Sequence, residues 1–245
     1  MDGRARSPTL GVFVPAYNAA RTLGPVIDRI PADAWQIIDA LFVIDDGSAD
    51  DTSAVAGALA SRCDRIRLVR HQANRGYGET VRHGMRLCLE RGSDFAACLH
   101  ADGQYPPETL VRFATYMLDH GVDVLQGSRH KDGGALAGGM PLYKYAAGKA
   151  LTALENAVFG LRLTDYHSGY LVYSRKALRT VPIDRLSGYF DFDLEFIARA
   201  RRHGLVIDEL AIPTRYGDEV SYLNPVRYGF RAVGVMVSYM AGRYG

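Results

Sequence analysis

The stretch Cys98-Leu-His100-Ala-Asp102-Gly-Gln104-Tyr-Pro-Pro107 sets a carboxylate just beyond an apolar run, Phe95 to Leu99. Charge at the tip of a buried strand is costly unless something pairs with it. Asp102 lies too far upstream of Pro107 to cap the helix that starts there. A divalent cation is the better partner, because Mg²⁺ and Mn²⁺ prefer oxygen ligands and often bind through one or two carboxylates plus substrate phosphates. Such a metal would neutralise charge developing on a diphosphate leaving group. His100 stands two residues before Asp102, and Gln104, two residues after it, is placed to orient a phosphate or a water.

Other candidate groups sit at comparable positions. Asp45-Asp46-Gly-Ser48 with Asp50, Asp51 and Thr52 closes a second apolar run. A tight turn and a helix cap account for one of these acids. Four together point to a carboxylate that accepts hydrogen bonds from a base or a ribose hydroxyl. Ser128-Arg129 follows a later run, and its guanidinium suits either a phosphate fork or solvent. Asp191, Asp193 and Glu195 open a helix whose N-terminus favours acids. Asp193 or Glu195 would serve as general base if the acceptor is a hydroxyl. Asn74-x-Gly76-x-Gly78 precedes another helix, where either an anion site or a flexible turn fits. There is no G-x-x-x-x-G-K-[ST] phosphate loop.

The elements that must position these groups follow from the apolar pattern. Strands are expected at 10–15, 41–44, 66–69, 95–99 and 122–125, alternating with helices near 18–30 (capped by Asn18), 51–62, 79–91 and 107–119. This alternation predicts an α/β domain, with a mostly parallel sheet covered by helices on both faces. In such sheets ligands bind beyond the carboxyl ends of the strands. The polar clusters fall at those ends. The second half is less regular: a glycine-rich, mobile loop at 132–139, a helix at 141–159, a strand at 170–173, a helix at 193–203 and a strand at 206–212. A tail at 226–244 is apolar and studded with arginines. The absence of a linker or repeat predicts one domain over 1–245, with a nucleotide-binding half (1–130) and an acceptor half (131–245).

Composition narrows the setting. The 245 residues are 48% hydrophobic and 23% charged with a net charge of +2, which does not suggest a nucleic-acid partner. Cys63, Cys88 and Cys98 form no C-x-x-C pair and fit a reduced, cytoplasmic setting as core or helix residues. No apolar run approaches the ~20 residues of a membrane span.

Taken in order, the motifs resemble those of the family 2 glycosyltransferases of GT-A fold. Val14-Pro-Ala-Tyr-Asn18 is similar to V-P-x-Y-N, and Val43-Ile-Asp-Asp-Gly-Ser48 with Thr52 to V-D-D-G-S-x-D-x-T. Asn74-x-Gly76-x-Gly78, Leu125-Gln-Gly-Ser-Arg129 and Thr164-Asp-x-x-Ser-Gly-Tyr170 match later ones. Within the family the chain most resembles the dolichol- and polyprenyl-phosphate sugar transferases, whose D-A-D-x-Q appears here as His100-Ala-Asp102-Gly-Gln104.

The resemblance implies a nucleotide-sugar donor, GDP- or UDP-linked, and an inverting transfer to a lipid phosphate. It implies that Pro15, Tyr17 and Asp46 hold the nucleoside, with Asn18, Asp45 and Gly76 beside them. Asp102 would bind Mg²⁺ or Mn²⁺, Gln104 would stand beside it, and Arg129 would contact a phosphate. Asp165 and Ser168 would border the acceptor, and Glu195 would match an acid of the acceptor helix. Two departures stand out. His100 replaces the first aspartate of D-x-D; its imidazole either ligates Mn²⁺ or faces away from Asp102. The basic segment expected after the last core strand is mixed here, with Arg215 its one candidate. The remaining alternatives are a saccharide or small-metabolite hydroxyl as acceptor, and a non-catalytic nucleotide-sugar binder. A peripheral contact of the tail with the inner face of the membrane completes the expectations.

Overall fold

The structure, a computed structural model, describes residues 8–213 and 224–244. Arg215 lies outside the described residues. The first half forms β1 (Leu10–Ala16), α1 (Leu23–Asp28), α2 (Ala32–Ile37), β2 (Ile38–Asp45), α3 (Thr52–Arg62), β3 (Ile66–Arg70), α4 (Tyr77–Arg91), β4 (Phe95–Cys98), α5 (Leu110–His120) and β5 (Val124–Ser128). The second half forms α6 (Gly134–Ala137), α7 (Leu142–Phe159), β6 (Leu171–Ser174), α8 (Arg175–Thr180), α9 (Phe192–Arg202), β7 (Ile207–Ala211) and α10 (Pro225–Met240). The glycine-rich segment expected as a loop holds a 3₁₀ turn, Lys131–Gly133, and α6.

All seven strands join one sheet in the order β3-β2-β1-β4-β6-β5-β7. Its apolar runs are continuous because both faces are covered. Phe13, Phe42, Ile44, Ala96 and Cys98 point to a core shared with α4, α7, α8, α9 and α10. Val12, Val14, Leu41, Val43 and Ala97 point to the opposite core, under α1, α2, α3 and α5.

One strand departs from the expected parallel pattern. β6 runs antiparallel to both β4 and β5, whereas β1 to β4 and the β5–β7 pair are parallel. The chain leaves β5 at its carboxyl end and crosses α6 and α7. It then enters β6 from that same end. The loop before β6, residues 164–169, therefore lies at the carboxyl ends of β4 and β5. Periodicity reports that a strand exists but not its direction, so this placement was not readable from the sequence.

The start of α9 is unusual for a helix rich in acids: every residue from Phe192 to Ala200 is buried. Asp193 accepts hydrogen bonds from the Tyr77 hydroxyl (2.8 Å) and, more weakly, the Tyr173 hydroxyl (3.4 Å). Burial pushes its carboxyl up to about 7, against the opposing pull of these two hydroxyls and with help from nearby Asp191. A carboxyl raised in the folded state binds more protons folded than unfolded. Its contribution is complete below the unfolded value of 3.8 and is lost as pH rises through about 7. Replacing Asp193→Asn should remove this loss. The stability of the variant relative to the parent, measured by urea unfolding, should rise between pH 4 and pH 7 by up to ~4 kcal/mol and then level off. A difference that does not change with pH would show that Asp193 is ordinarily ionised.

Candidate active site

The expected residues gather at the carboxyl edge of the sheet, but several hold the protein together rather than face a ligand. Asn18 does not cap a helix. It adopts a left-handed conformation (φ 50°), and α1 begins only at Leu23. Its N–H donates to Ser48 Oγ (2.9 Å), and its Oδ1 accepts from the Ala49 N–H (3.0 Å). The Ala19 N–H donates to Thr52 Oγ1 (2.8 Å). The turn after β1 is thus stitched to the turn after β2. Pro15 remains in the strand, half-buried, and Tyr17 stands 43% exposed beyond it.

Asp45 and Asp46 are both buried and fully engaged. Burial alone would raise the Asp45 carboxyl. Hydrogen bonds from Ser48 and Ser53 and the charge of Arg70 outweigh it and hold the group below its ordinary value. Asp46 accepts from the backbone N–H groups of Arg75 and Gly76, each at 2.9 Å, and pairs with His71 Nδ1 at 2.7 Å. Both of its oxygens are thereby taken. Its side chain fixes the loop that leads into α4. Gly47 permits this tight approach: it has φ 71°, and a Cβ there would sit 2.6 Å from the Ala73 carbonyl carbon.

Asp102 is different. It is exposed; Oδ1 accepts only the Gln104 N–H of its own loop (3.0 Å), and Oδ2 has no partner among the described residues. With Arg21, Arg29 and Gln104 it lines a shallow cleft beside α1. No group of three or more metal-ligating side chains occurs among the described residues. The donor set therefore fits a hard cation held by one carboxylate and completed by substrate phosphates, not a closed protein site.

His100 is engaged elsewhere. Its Nε2 lies 3.4 Å from the Tyr77 hydroxyl, and its ring meets Tyr105 edge-on at 4.7 Å. Gly169 abuts the imidazole so closely that a Cβ there would lie 2.7 Å from Cε1. Burial lowers the His100 pKa, only partly offset by Asp102. The ring is packed among aromatic side chains.

The loop before β6 binds the two sides of the site together. Asp165 is fully buried and grips Arg129 through Nε (2.8 Å) and Nη2 (3.2 Å). Burial opposes ionisation of Asp165, but the Arg129 guanidinium dominates and holds the carboxyl well below the usual range. Four residues on, the Gly169 N–H donates to the Tyr105 hydroxyl (3.0 Å), beside His100. Ser168 turns inward, its Oγ accepting from the Tyr170 N–H (3.2 Å).

Glu195 does not stand open as a base. It accepts from the Ser187 N–H (2.8 Å) and pairs with Arg199 through Nη2 (2.7 Å) and Nε (3.0 Å). Asp193 is sealed beneath Tyr77 and Tyr173. Sequence reasoning missed Tyr77, Tyr105 and His71, because aromatic and histidine residues inside loop motifs carry no spacing signal of their own.

The comparisons agree with this arrangement. The profile of the family described as "Glycosyl transferase family 2" matches residues 11–181. An undecaprenyl-phosphate mannosyltransferase of Micrococcus luteus is 30% identical over 201 residues, covering 82% of this chain and 81% of that protein. The polyprenol monophosphomannose synthase of Mycolicibacterium smegmatis is 28% identical, covering 82% and 75%. Among solved structures, glucosyl-3-phosphoglycerate synthase from Mycobacterium tuberculosis, crystallised with Mn²⁺, UDP and glucosyl-3-phosphoglycerate, superposes with a TM-score of 0.68 at 20% identity. That match covers 95% of this chain and 80% of the other, which shows a shared GT-A fold. The open strand-end carboxylate, the paired turns after β1 and β2 and the family match converge: this chain belongs to glycosyl transferase family 2 and is a glycosyltransferase.

Proposed function

We propose that this enzyme moves a sugar from a GDP- or UDP-linked donor to a polyprenyl-phosphate lipid, with inversion at the anomeric carbon. The observation that carries the choice of acceptor is the state of the acids around the site. Glu195 is ion-paired with Arg199, Asp193 is buried under two tyrosines and Asp165 is clamped on Arg129. A hydroxyl acceptor would need one of them as a base. A phosphate monoester arrives already ionised and needs none. The relatives named for undecaprenyl phosphate and polyprenol monophosphomannose support the same choice.

In this reading an acceptor phosphate oxygen forms the new bond to the anomeric carbon while the bond to the donor diphosphate breaks. Asp102 would hold Mg²⁺ or Mn²⁺, with Gln104 beside it. When bound, the metal supplies a positive charge that stabilises the departing diphosphate. Tyr17 and the stitched turns after β1 and β2 receive the nucleoside. Asp46 keeps the 74–78 loop in place for it. Asp165 fixes the Arg129 guanidinium, with Nε and Nη2 turned toward the carboxylate, and so sets the orientation of the group that would contact a phosphate. His100, packed between Tyr77, Tyr105 and Gly169, shapes the wall between the loop after β4 and the loop before β6. The cytoplasmic setting expected from the sequence accords with soluble nucleotide sugars as donors.

Two outcomes test the reading. Radiolabelled sugar should pass from GDP- or UDP-sugars to a polyprenyl phosphate and not to the matched polyprenol. Transfer to the alcohol at a similar rate would establish a hydroxyl acceptor instead. Glu195→Gln should lower the melting temperature, because it weakens the Arg199 pair, yet keep turnover per folded enzyme within about threefold. Since removal of a general base typically costs 10²-fold or more, such a loss in turnover at unchanged folding would make Glu195 the base.

A further inference from the structure

Helix α10 is apolar on two opposite sides. Ala232, Val235 and Met236 are buried in the core, and Tyr239 packs edge-on against Phe159 at 5.0 Å. On the other side Phe230, Val233, Val237 and Met240 recur at intervals of three and four residues, which places them on one helical face. They are 76%, 46%, 49% and 64% exposed. The neighbouring α7 exposes Tyr143 (71%) and Leu154 (50%) as well. The inner face of α10 packs into the core, and the outer stripe belongs to neither core cluster of the described residues.

Charge indicates what covers the stripe. From Pro225 to the last residue the sequence has three arginines and no acid. On α7 the one acid, Glu155, is fully buried, and Lys144 is exposed. Arg231 is paired with Asp191, but Arg227, Arg243 and Lys144 are exposed, and two copies of this face would set these cations against each other with no exposed acid on α7 or α10. An apolar stripe with basic flanks alone is instead the pattern that binds an anionic lipid interface.

The inner side of the same helix reaches the site. The Tyr228 hydroxyl is 2.9 Å from His167 Nδ1, and the His167 N–H donates to Asp165 (2.8 Å), the residue that grips Arg129. Arg231 donates to Asp191 (2.7 Å) and to Ser187 Oγ (2.9 Å), in the loop that packs on α4. One helix thickness, about 10–12 Å, thus separates the outer stripe from the residues that position Arg129.

We propose that the outward face of α10, with the exposed side of α7 beside it, docks on an anionic lipid surface. This deepens the lipid-acceptor reading and rests on it for its purpose: the docked helix brings the acceptor side of the site to the depth of lipid phosphates. The docking itself is tested without any acceptor. The full chain is mixed with vesicles of phosphatidylcholine alone or with phosphatidylglycerol, both free of polyprenyl phosphate, and sedimented. The parent should partition to the phosphatidylglycerol vesicles. The double variant Phe230→Ser, Val237→Ser should bind at least fivefold less, with nucleotide binding retained as evidence that it is folded. Because Phe230→Trp keeps the apolar character, it serves as a second probe. The fluorescence this substitution adds should be quenched by brominated lipid, while Trp35, on α2 across the sheet, should not respond. The proposal is overturned if the parent stays in the supernatant with both vesicle types. It is equally overturned if the double variant binds like the parent, or if the emission added by Phe230→Trp is not quenched. A lipid-free dimer in sedimentation velocity that the double variant abolishes would assign the face to a second copy and also overturn it. These results stand apart from the acceptor assay, so failure of either reading is visible separately.

Discussion

The architecture of this site depends on how the protein pairs its buried carboxylates. A carboxylate removed from water is tolerated only when cations or N–H groups replace the lost solvent. Asp46 has two backbone N–H groups and His71. Asp165 has Arg129, and Glu195 has Arg199 and a backbone N–H. The first two also join segments 29 and 36 residues apart in sequence. Asp46 ties the turn after β2 to the loop before α4. Asp165 ties the end of β5 to the loop before β6, and Glu195 ties α9 to the loop that packs on α4. The acids that looked catalytic by type are in large part the fasteners of the site.

Asp102, by contrast, stays exposed with one oxygen that has no partner among the described residues. Its neighbour His100 adds no negative charge, so the site presents one carboxylate where two would otherwise converge. A single carboxylate attracts a divalent cation weakly by itself and needs the donor's phosphates to complete the shell. Metal and donor binding should therefore be strongly interdependent. The opposite edge of the site is built by the antiparallel β6, whose preceding loop carries both Asp165 and Gly169. That loop sets the distance between the guanidinium of Arg129 and the aromatic wall of Tyr77, His100 and Tyr105.

Much of this was legible in the residues. The apolar runs located all seven strands, and the clusters at their ends located Tyr17, Asp46, Asp102 and Arg129 at one edge of the sheet. The GT-A fold followed from the order of the motifs. What the sequence did not reveal was direction and partnership. The antiparallel course of β6 depends on how α7 returns the chain, which no local pattern records. Asn18 looked like a helix cap because its type suits one, yet its left-handed backbone serves the turn contact with Ser48 and Ala49 instead. Glu195 looked like a base because an acid at a helix start shows no sign of its burial in the sequence; buried beside Arg199, it is an ion pair. The short helices α2 and α8 were missed because six residues give too little periodicity to register.

The most direct measurement is a calorimetric titration of UDP and of GDP into the parent and into Asp102→Asn, each with and without Mn²⁺. With the parent, one nucleotide should bind at least tenfold more tightly when Mn²⁺ is present, and Asp102→Asn should remove that gain while leaving the metal-free affinity unchanged. Equal affinity with and without Mn²⁺ in the parent, or an undiminished metal gain in Asp102→Asn, would contradict the account of Asp102 as the open carboxylate on which donor binding turns.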